Sequence, residues 1–132
     1  MTGSSAFREE ITYLRAVFDD APIPYVVTDT NLIVIDANKA AERLWGLALD
    51  SLKGQGLSVL IAPSDYRAFL AIVDEIMQAP EPVSRPIRLR GSSGRELEAM
   101  LAATSVRDVD DEPGSIYWLF STAPPPEESG LM

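Results

Sequence analysis

Apolar residues in the first twenty positions recur at steps of three and four. They are Phe7, Ile11, Leu14, Val17 and Phe18. This spacing predicts an amphipathic helix over residues 6–20 with one apolar stripe. Ser5 is a candidate N-cap. Pro22 and Pro24 follow at the point where the helix should end, because proline disfavours helical geometry in the residue before it.

Five runs rich in β-branched and aromatic residues predict strands. They cover residues 25–29, 32–35, 83–90, 95–107 and 115–122. This arrangement predicts an α+β fold, in which a five-stranded antiparallel sheet carries helices on one face and is preceded by the N-terminal amphipathic helix.

The segment between the second and third predicted strands returns to helical spacing. Short helices are predicted over residues 39–45 and 49–53, and a longer one begins near Pro63, where Ser64 or Asp65 can cap it. The apolar stripe of the longer helix consists of Tyr66, Phe69, Leu70, Val73, Ile76 and Met77.

The stretch LIVIDANKAAERLWG, residues 32–46, passes from strand to helix within three residues. Asn38 is the predicted N-cap, since its side chain can accept a hydrogen bond from an N–H group that lacks a partner in the first helical turn. Asp36 can support this role from within the turn, and Gly46 is the predicted C-terminal stop. Capping and turn formation explain Asp36 and Asn38 better than a chemical role does.

Composition restricts the chemistry available to this chain. Its 132 residues suit one domain, and they include no cysteine and no histidine. Disulfides, thiol catalysis and the usual general base are therefore excluded. The net charge of −9 argues against nucleic acid as a partner. With no membrane span or signal peptide visible in the sequence, we expect a cytoplasmic protein.

The segment VVTDTNLIVIDANKAAERLWG resembles the PAS domain, a small sensory and interaction domain of signalling proteins. The matching positions are Asp29, Asn38, Ala40, Ala41, Leu44 and Gly46. Gly54 matches the glycine of the following short helix, Pro63 with Asp65 matches the start of the next helix, and the closing three strands are similar. The resemblance covers residues 12–122. Ala48 departs from it, because Ser or Thr commonly caps the helix that follows.

The resemblance implies an apolar cavity between the sheet and its helices, which in PAS domains holds haem, flavin, another small ligand or nothing. Histidine-ligated haem and cysteinyl flavin are excluded by the composition, and the cofactor is otherwise unknown. The large side chains predicted near the cavity, and hence the candidate ligand-binding residues, are Trp45, Tyr66, Phe69, Met100 and Trp118. Plain filling of the core is the simpler interpretation of these residues.

The N-terminal helix is the predicted dimer interface. Phe7, Ile11, Leu14 and Phe18 recur at steps of four, three and four, which is typical of a coiled-coil seam. This stripe must pack on the sheet of its own chain or on the same helix of a second chain. PAS-like domains often dimerise through such a helix, so the resemblance favours a homodimer.

Three segments are expected: an N-terminal helix over 1–20, a PAS-like domain over 21–122 and a disordered Pro- and Glu-rich tail over 123–132. The predicted function is a non-catalytic signalling module that binds a small metabolite or a protein partner. Two alternatives stay open: a small cone-shaped α+β enzyme with a pocket carboxylate as base, and a pure dimerisation module with a filled core.

An arginine cluster surrounds the hairpin that joins the third and fourth predicted strands. It consists of Arg85, Arg88, Arg90 and Arg95. One interpretation is a patch that binds an anion or an acidic partner. The favoured interpretation is a solvated strand face, on which arginines oppose Glu96 and Glu98 across the turn.

Overall fold

The computed structural model describes residues 2–79 and 81–122, with the backbone alone at positions 2–7 and 11. Helix α1 precedes a hairpin of β1 and β2, three helices follow, and β3, β4 and β5 close the chain. The elements are α1 (Thr2–Asp20), β1 (Tyr25–Thr28), β2 (Val34–Ala37), α2 (Lys39–Trp45), α3 (Leu49–Leu52), α4 (Tyr66–Gln78), β3 (Val83–Arg90), β4 (Glu96–Arg107) and β5 (Pro113–Thr122). Single 3-10 turns cover Leu57–Leu60 and Pro63–Asp65.

The strands form one antiparallel sheet in the order β2-β1-β5-β4-β3. The inner face of this sheet carries the buried side chains of the core, and α2, α3 and α4 supply the opposing layer. The predicted α+β architecture is therefore confirmed. The tail over 123–132, predicted to be disordered, lies outside the described residues.

Helix α2 shows why the chain can turn sharply from sheet to helix. The Oδ1 atom of Asn38 accepts a hydrogen bond from the backbone N–H of Ala41 at 3.1 Å, which confirms the predicted cap. Gly46 ends the helix with φ of 67°, in the left-handed region. A Cβ at this position would lie 2.7 Å from the Cβ of Ser92, so the β3–β4 hairpin also requires glycine here.

Strand β2 begins two residues later than predicted because the preceding turn is longer. The Oδ1 atom of Asp29 accepts hydrogen bonds from the N–H groups of Asn31 and Ile33, at 2.9 and 3.0 Å. Leu32 consequently takes a positive φ of 68°. The apolar character of Leu32 and Ile33 indicated a strand, but the N–H groups of both residues bond Asp29, and Ile33 forms only an isolated bridge with Gly56.

The predicted N-caps of α1 and α4 were wrong, and another residue replaces the cap that α3 was expected to lack. Helix α1 begins at Thr2, so Ser5 lies within it. Helix α4 starts from a 3-10 turn without a side-chain cap, since Asp65 instead accepts a hydrogen bond from the backbone N–H of Arg88 at 2.9 Å. Ala48 gives no side-chain cap to α3, and Glu42 replaces it by accepting from the N–H of Leu49 at 2.7 Å.

Candidate functional site

The interior between the sheet and the helices is filled by aromatic side chains. Phe69, Trp118 and Phe120 are fully buried, and Trp45 is 4% exposed. The rings of Phe69 and Trp118 lie 5.7 Å apart between centroids, and those of Trp45 and Phe120 meet edge to face at 5.4 Å. These distances are typical of packed aromatic pairs.

The polar atoms of these aromatic residues have partners within the protein. The indole N–H of Trp118 donates to the hydroxyl of Thr28 at 3.0 Å, and that of Trp45 donates to the carbonyl of Leu60 at 3.2 Å. Among the described residues, no buried side-chain nitrogen or oxygen lacks a hydrogen-bond partner. The interior therefore offers a ligand no free donor or acceptor of this kind.

The five predicted ligand-binding residues do not form one site. Trp45, Phe69 and Trp118 meet in the core, whereas Tyr66 and Met100 are 44% and 46% exposed. Met100 lies on the outer face of the sheet, because its neighbour Leu101 is buried and side chains alternate along a strand. The predicted placement of Tyr66 and Met100 at the interior cavity is thus wrong, and a ligand-binding role for the five residues stays a prediction.

Phe120 belongs to the core cluster and was missed by the sequence analysis. It follows Ile116 and Trp118 at steps of two, and all three are fully buried on β5. This alternation is visible in the sequence and could have identified the residue.

Arg88 and Arg90 of the arginine cluster lie on the solvated face of β3, as the favoured interpretation expected, whereas Arg85 alternates in step with the buried Val83 and Ile87. The register of β3 and β4 places Arg88 opposite Glu98 and Arg90 opposite Glu96. Arg85 forms an ion pair with Glu75 of α4. The opposed acidic residues reduce the net positive charge that an anionic ligand would meet.

The outer face of the sheet carries a second candidate site, which is apolar. A shallow groove of about 170 Å³ runs across β1, β5 and β4. Its lining includes Tyr25, Pro82, Ala102, Tyr117 and Leu119. Tyr117 is 45% exposed, so this face presents aromatic and aliphatic surface to the solvent.

Helix α1 joins this outer face through its C-terminal turn. The ring of Phe18 lies 5.8 Å from that of Tyr25, and Phe18 is half-buried. Tyr13, Leu14 and Val17, by contrast, are 68%, 56% and 51% exposed. Of the predicted dimer seam, Leu14 is therefore accessible while Phe18 contacts its own chain. The side chains of Phe7 and Ile11 lie outside the described residues.

The described residues contain no group of three acidic side chains that could hold a metal ion. No helix in the described part of the chain is both long enough and apolar enough to span a bilayer.

The structure has a helix-covered sheet in the order β2-β1-β5-β4-β3. The family model described as PAS fold matches residues 12–121 of the sequence. The chain belongs to the PAS family. No curated protein matches it. PAS domains function as sensor modules in signalling proteins such as histidine kinases, and the family is generally non-catalytic.

Solved structures with the same fold include a PAS domain from Colwellia psychrerythraea, with 23% identity and a TM-score of 0.74, covering 84% of this chain and 96% of that one. The PAS domain of an HTR-like protein from Haloarcula marismortui has 11% identity and a TM-score of 0.77, covering 92% and 98%. A domain of a sensory box sensor histidine kinase/response regulator from Geobacter sulfurreducens has 20% identity and a TM-score of 0.70, covering 85% and 93%. At these identities the likeness concerns the fold alone.

Proposed function

We propose that this PAS domain is a protein-interaction module of a signalling pathway, which dimerises through α1 and the outer face of the sheet. The observation that carries the proposal is a contrast within the molecule. The interior is packed by aromatic rings with satisfied polar atoms, whereas Tyr13, Leu14 and Val17 expose more than half of their surface.

The helix alone supplies too little energy for a stable dimer. Burying one large apolar side chain completely contributes about 2 kcal/mol, so three half-exposed residues in each of two copies contribute roughly 6 kcal/mol together. A dimer with micromolar affinity needs about 8 kcal/mol. The apolar groove around Tyr117 and Leu119 offers the additional surface, so the proposed dimer involves both α1 and the sheet.

The test is the solution mass of the protein and of three variants, measured by light scattering and sedimentation. We expect a dimer for the parent, and weaker dimers for Leu14→Glu and Tyr117→Glu. Val109→Glu is the matched control, because Val109 is fully exposed in the β4–β5 loop and away from both surfaces. A monomeric parent at high concentration, or a Leu14→Glu variant as dimeric as the control, would refute the proposal.

An absorption spectrum and a native mass spectrum of the same sample test the competing role as a ligand sensor. A chromophore or a stoichiometric metabolite in the purified protein would favour a ligand sensor over a filled interaction module. Cytoplasmic location and the absence of catalysis stay predictions.

A further inference from the structure

The strand-to-helix junction between β2 and α2, residues 36–39, contacts the N-terminal segment through each of its three polar residues. Asp36 forms an ion pair with Arg15 of α1. Asn38 bonds the linker between α1 and β1, and Lys39 lies 3.3 Å from the carboxylate of Asp20. Three contacts from one short stretch to residues 15–25 form a docking surface, which we call the socket.

Asn38 does more than cap α2. Its Oδ1 atom accepts from the N–H of Tyr25 at 2.9 Å in addition to that of Ala41. Its Nδ2 atom donates to the carbonyl of Ile23 at 3.0 Å and reaches that of Ala21 at 3.5 Å. Serine and aspartate cap helices about as well as asparagine does. Asparagine differs from both in its side-chain N–H donors, and here these donors bond carbonyl groups of the linker. The residue is fully buried.

Arg15 connects α1 to Asp36 and lies against Phe18. Its two terminal nitrogens bond the two carboxylate oxygens of Asp36, one of them at 3.2 Å, which is the bidentate geometry that arginine favours. The guanidinium also lies 5.2 Å from the centre of the Phe18 ring. Hydrogen bonds to Asp36, and then to Asp19, raise the pKa of Arg15 above its ordinary value, so the charge is present at any ordinary pH.

We propose that the socket sets the direction and rotation of α1, and thereby selects the helix face that a partner meets. With Arg15 and Phe18 turned towards the domain, Tyr13 and Val17 are turned outwards. Leu14 lies one turn before Phe18 on the same side of the helix and is 56% exposed. Asp36 and Asn38 are positioning residues in this scheme, since they act on the partner surface through α1. The socket stands on contacts within one chain, and its effect on partner choice rests on the proposed dimer.

The test is amide hydrogen exchange of the full chain, read separately in α1 and in the β3–β4 hairpin. Arg15→Gln and Asp36→Asn should each speed exchange over residues 8–20 by about two- to five-fold, the range that exposed ion pairs support. The double variant should be no faster than the single variants, because either change already removes the pair. Arg107→Gln is the matched control, since Arg107 pairs with Asp111 in the distant β4–β5 loop.

Asn38→Ser separates the linker bonds from the cap. The serine hydroxyl can still accept from Ala41, but the bonds to Ile23 and Tyr25 are lost, so exchange over residues 15–25 should rise about ten-fold. Exchange in β3 and β4 should change much less, which distinguishes release of α1 from loss of the fold.

Two results would refute the socket. The first is hydrogen exchange in α1 that is no faster in Arg15→Gln, Asp36→Asn and Asn38→Ser than in Arg107→Gln. The second is a double variant in which the increases in exchange of the two single variants add. The dimer constant of the same variants is measured by sedimentation. It should weaken several-fold although none of the exposed apolar residues of the proposed interface is changed. A monomeric parent refutes the proposed dimer and the selection of a partner face. The socket itself is then tested by the exchange data alone. A dimer constant unchanged by socket variants that loosen α1 refutes the selection of a partner face.

Discussion

Replacement of Phe69 by alanine separates a filled core from a ligand cavity. Phe69 is fully buried, and its ring lies 5.7 Å from that of Trp118. Loss of a buried phenylalanine removes its transfer free energy and leaves a cavity, at a combined cost of about 3–5 kcal/mol. This is a large part of the ~5–15 kcal/mol by which a domain is stable. Phe69→Leu leaves a smaller cavity and should cost about 1–2 kcal/mol.

Met100→Ala is the matched control for Phe69→Ala. Both changes remove a large apolar side chain, but Met100 lies on the outer face and is 46% exposed. We therefore expect a cost below about 1 kcal/mol for the control. The assay is urea unfolding, in which a loss of 3–5 kcal/mol lowers the midpoint by about 2 M at an ordinary slope. If Phe69→Ala keeps the parent's stability and loses a bound metabolite, the filled core is refuted.

Two further predictions concern the helix ends. Gly46→Ala and Gly54→Ala both place a side chain at a positive φ, and the strain should lower the free energy of unfolding by about 1–2 kcal/mol in each case. Gly46→Ala should lose at least about 1 kcal/mol more, because its Cβ would lie 2.7 Å from that of Ser92, whereas a Cβ at Gly54 meets no other residue. Equal melting temperatures of the two variants would contradict this close approach. Glu42→Ala should cost about 1 kcal/mol and Glu42→Gln less than half of that, because the glutamine oxygen can still accept from Leu49; thermal melts in which the two variants lose equal stability would show that the hydrogen bond is not the cause.

Elements with strong local signals could be predicted from the sequence. Helix α2 has the predicted bounds because Asn38 caps its start and Gly46 ends it. Strand β3 also has its predicted bounds, because a proline precedes it and a Gly-Ser turn follows it. Strand β2 was displaced because the Asp29 carboxylate, which bonds residues up to four positions away, decides where the turn ends. The PAS fold itself followed from the order of such signals.

The faces of α4 and β4 could not be predicted from local pattern. Phe69, Ile72 and Ile76 of α4 are buried, whereas Leu70, which belongs to the predicted stripe, is 44% exposed. Apolar residues of α4 surround more than half of its circumference, so only the position of the sheet decides which of them are buried. Met100 was misplaced for a similar reason, since β4 has apolar residues at both odd and even positions.

The apolar character of both faces of β4 and β5 also supports the proposed interaction. An antiparallel sheet with one face in water usually alternates apolar and polar residues. Met100, Ala102, Tyr117 and Leu119 depart from this rule on the outer face. Met100 and Tyr117 are 46% and 45% exposed, so this part of the outer face is accessible to a partner. Exposed apolar area on two adjacent strands costs free energy that a second protein can recover. The apolar residues that obscured the orientation of β4 in the sequence are therefore the same ones on which the proposed partner site depends.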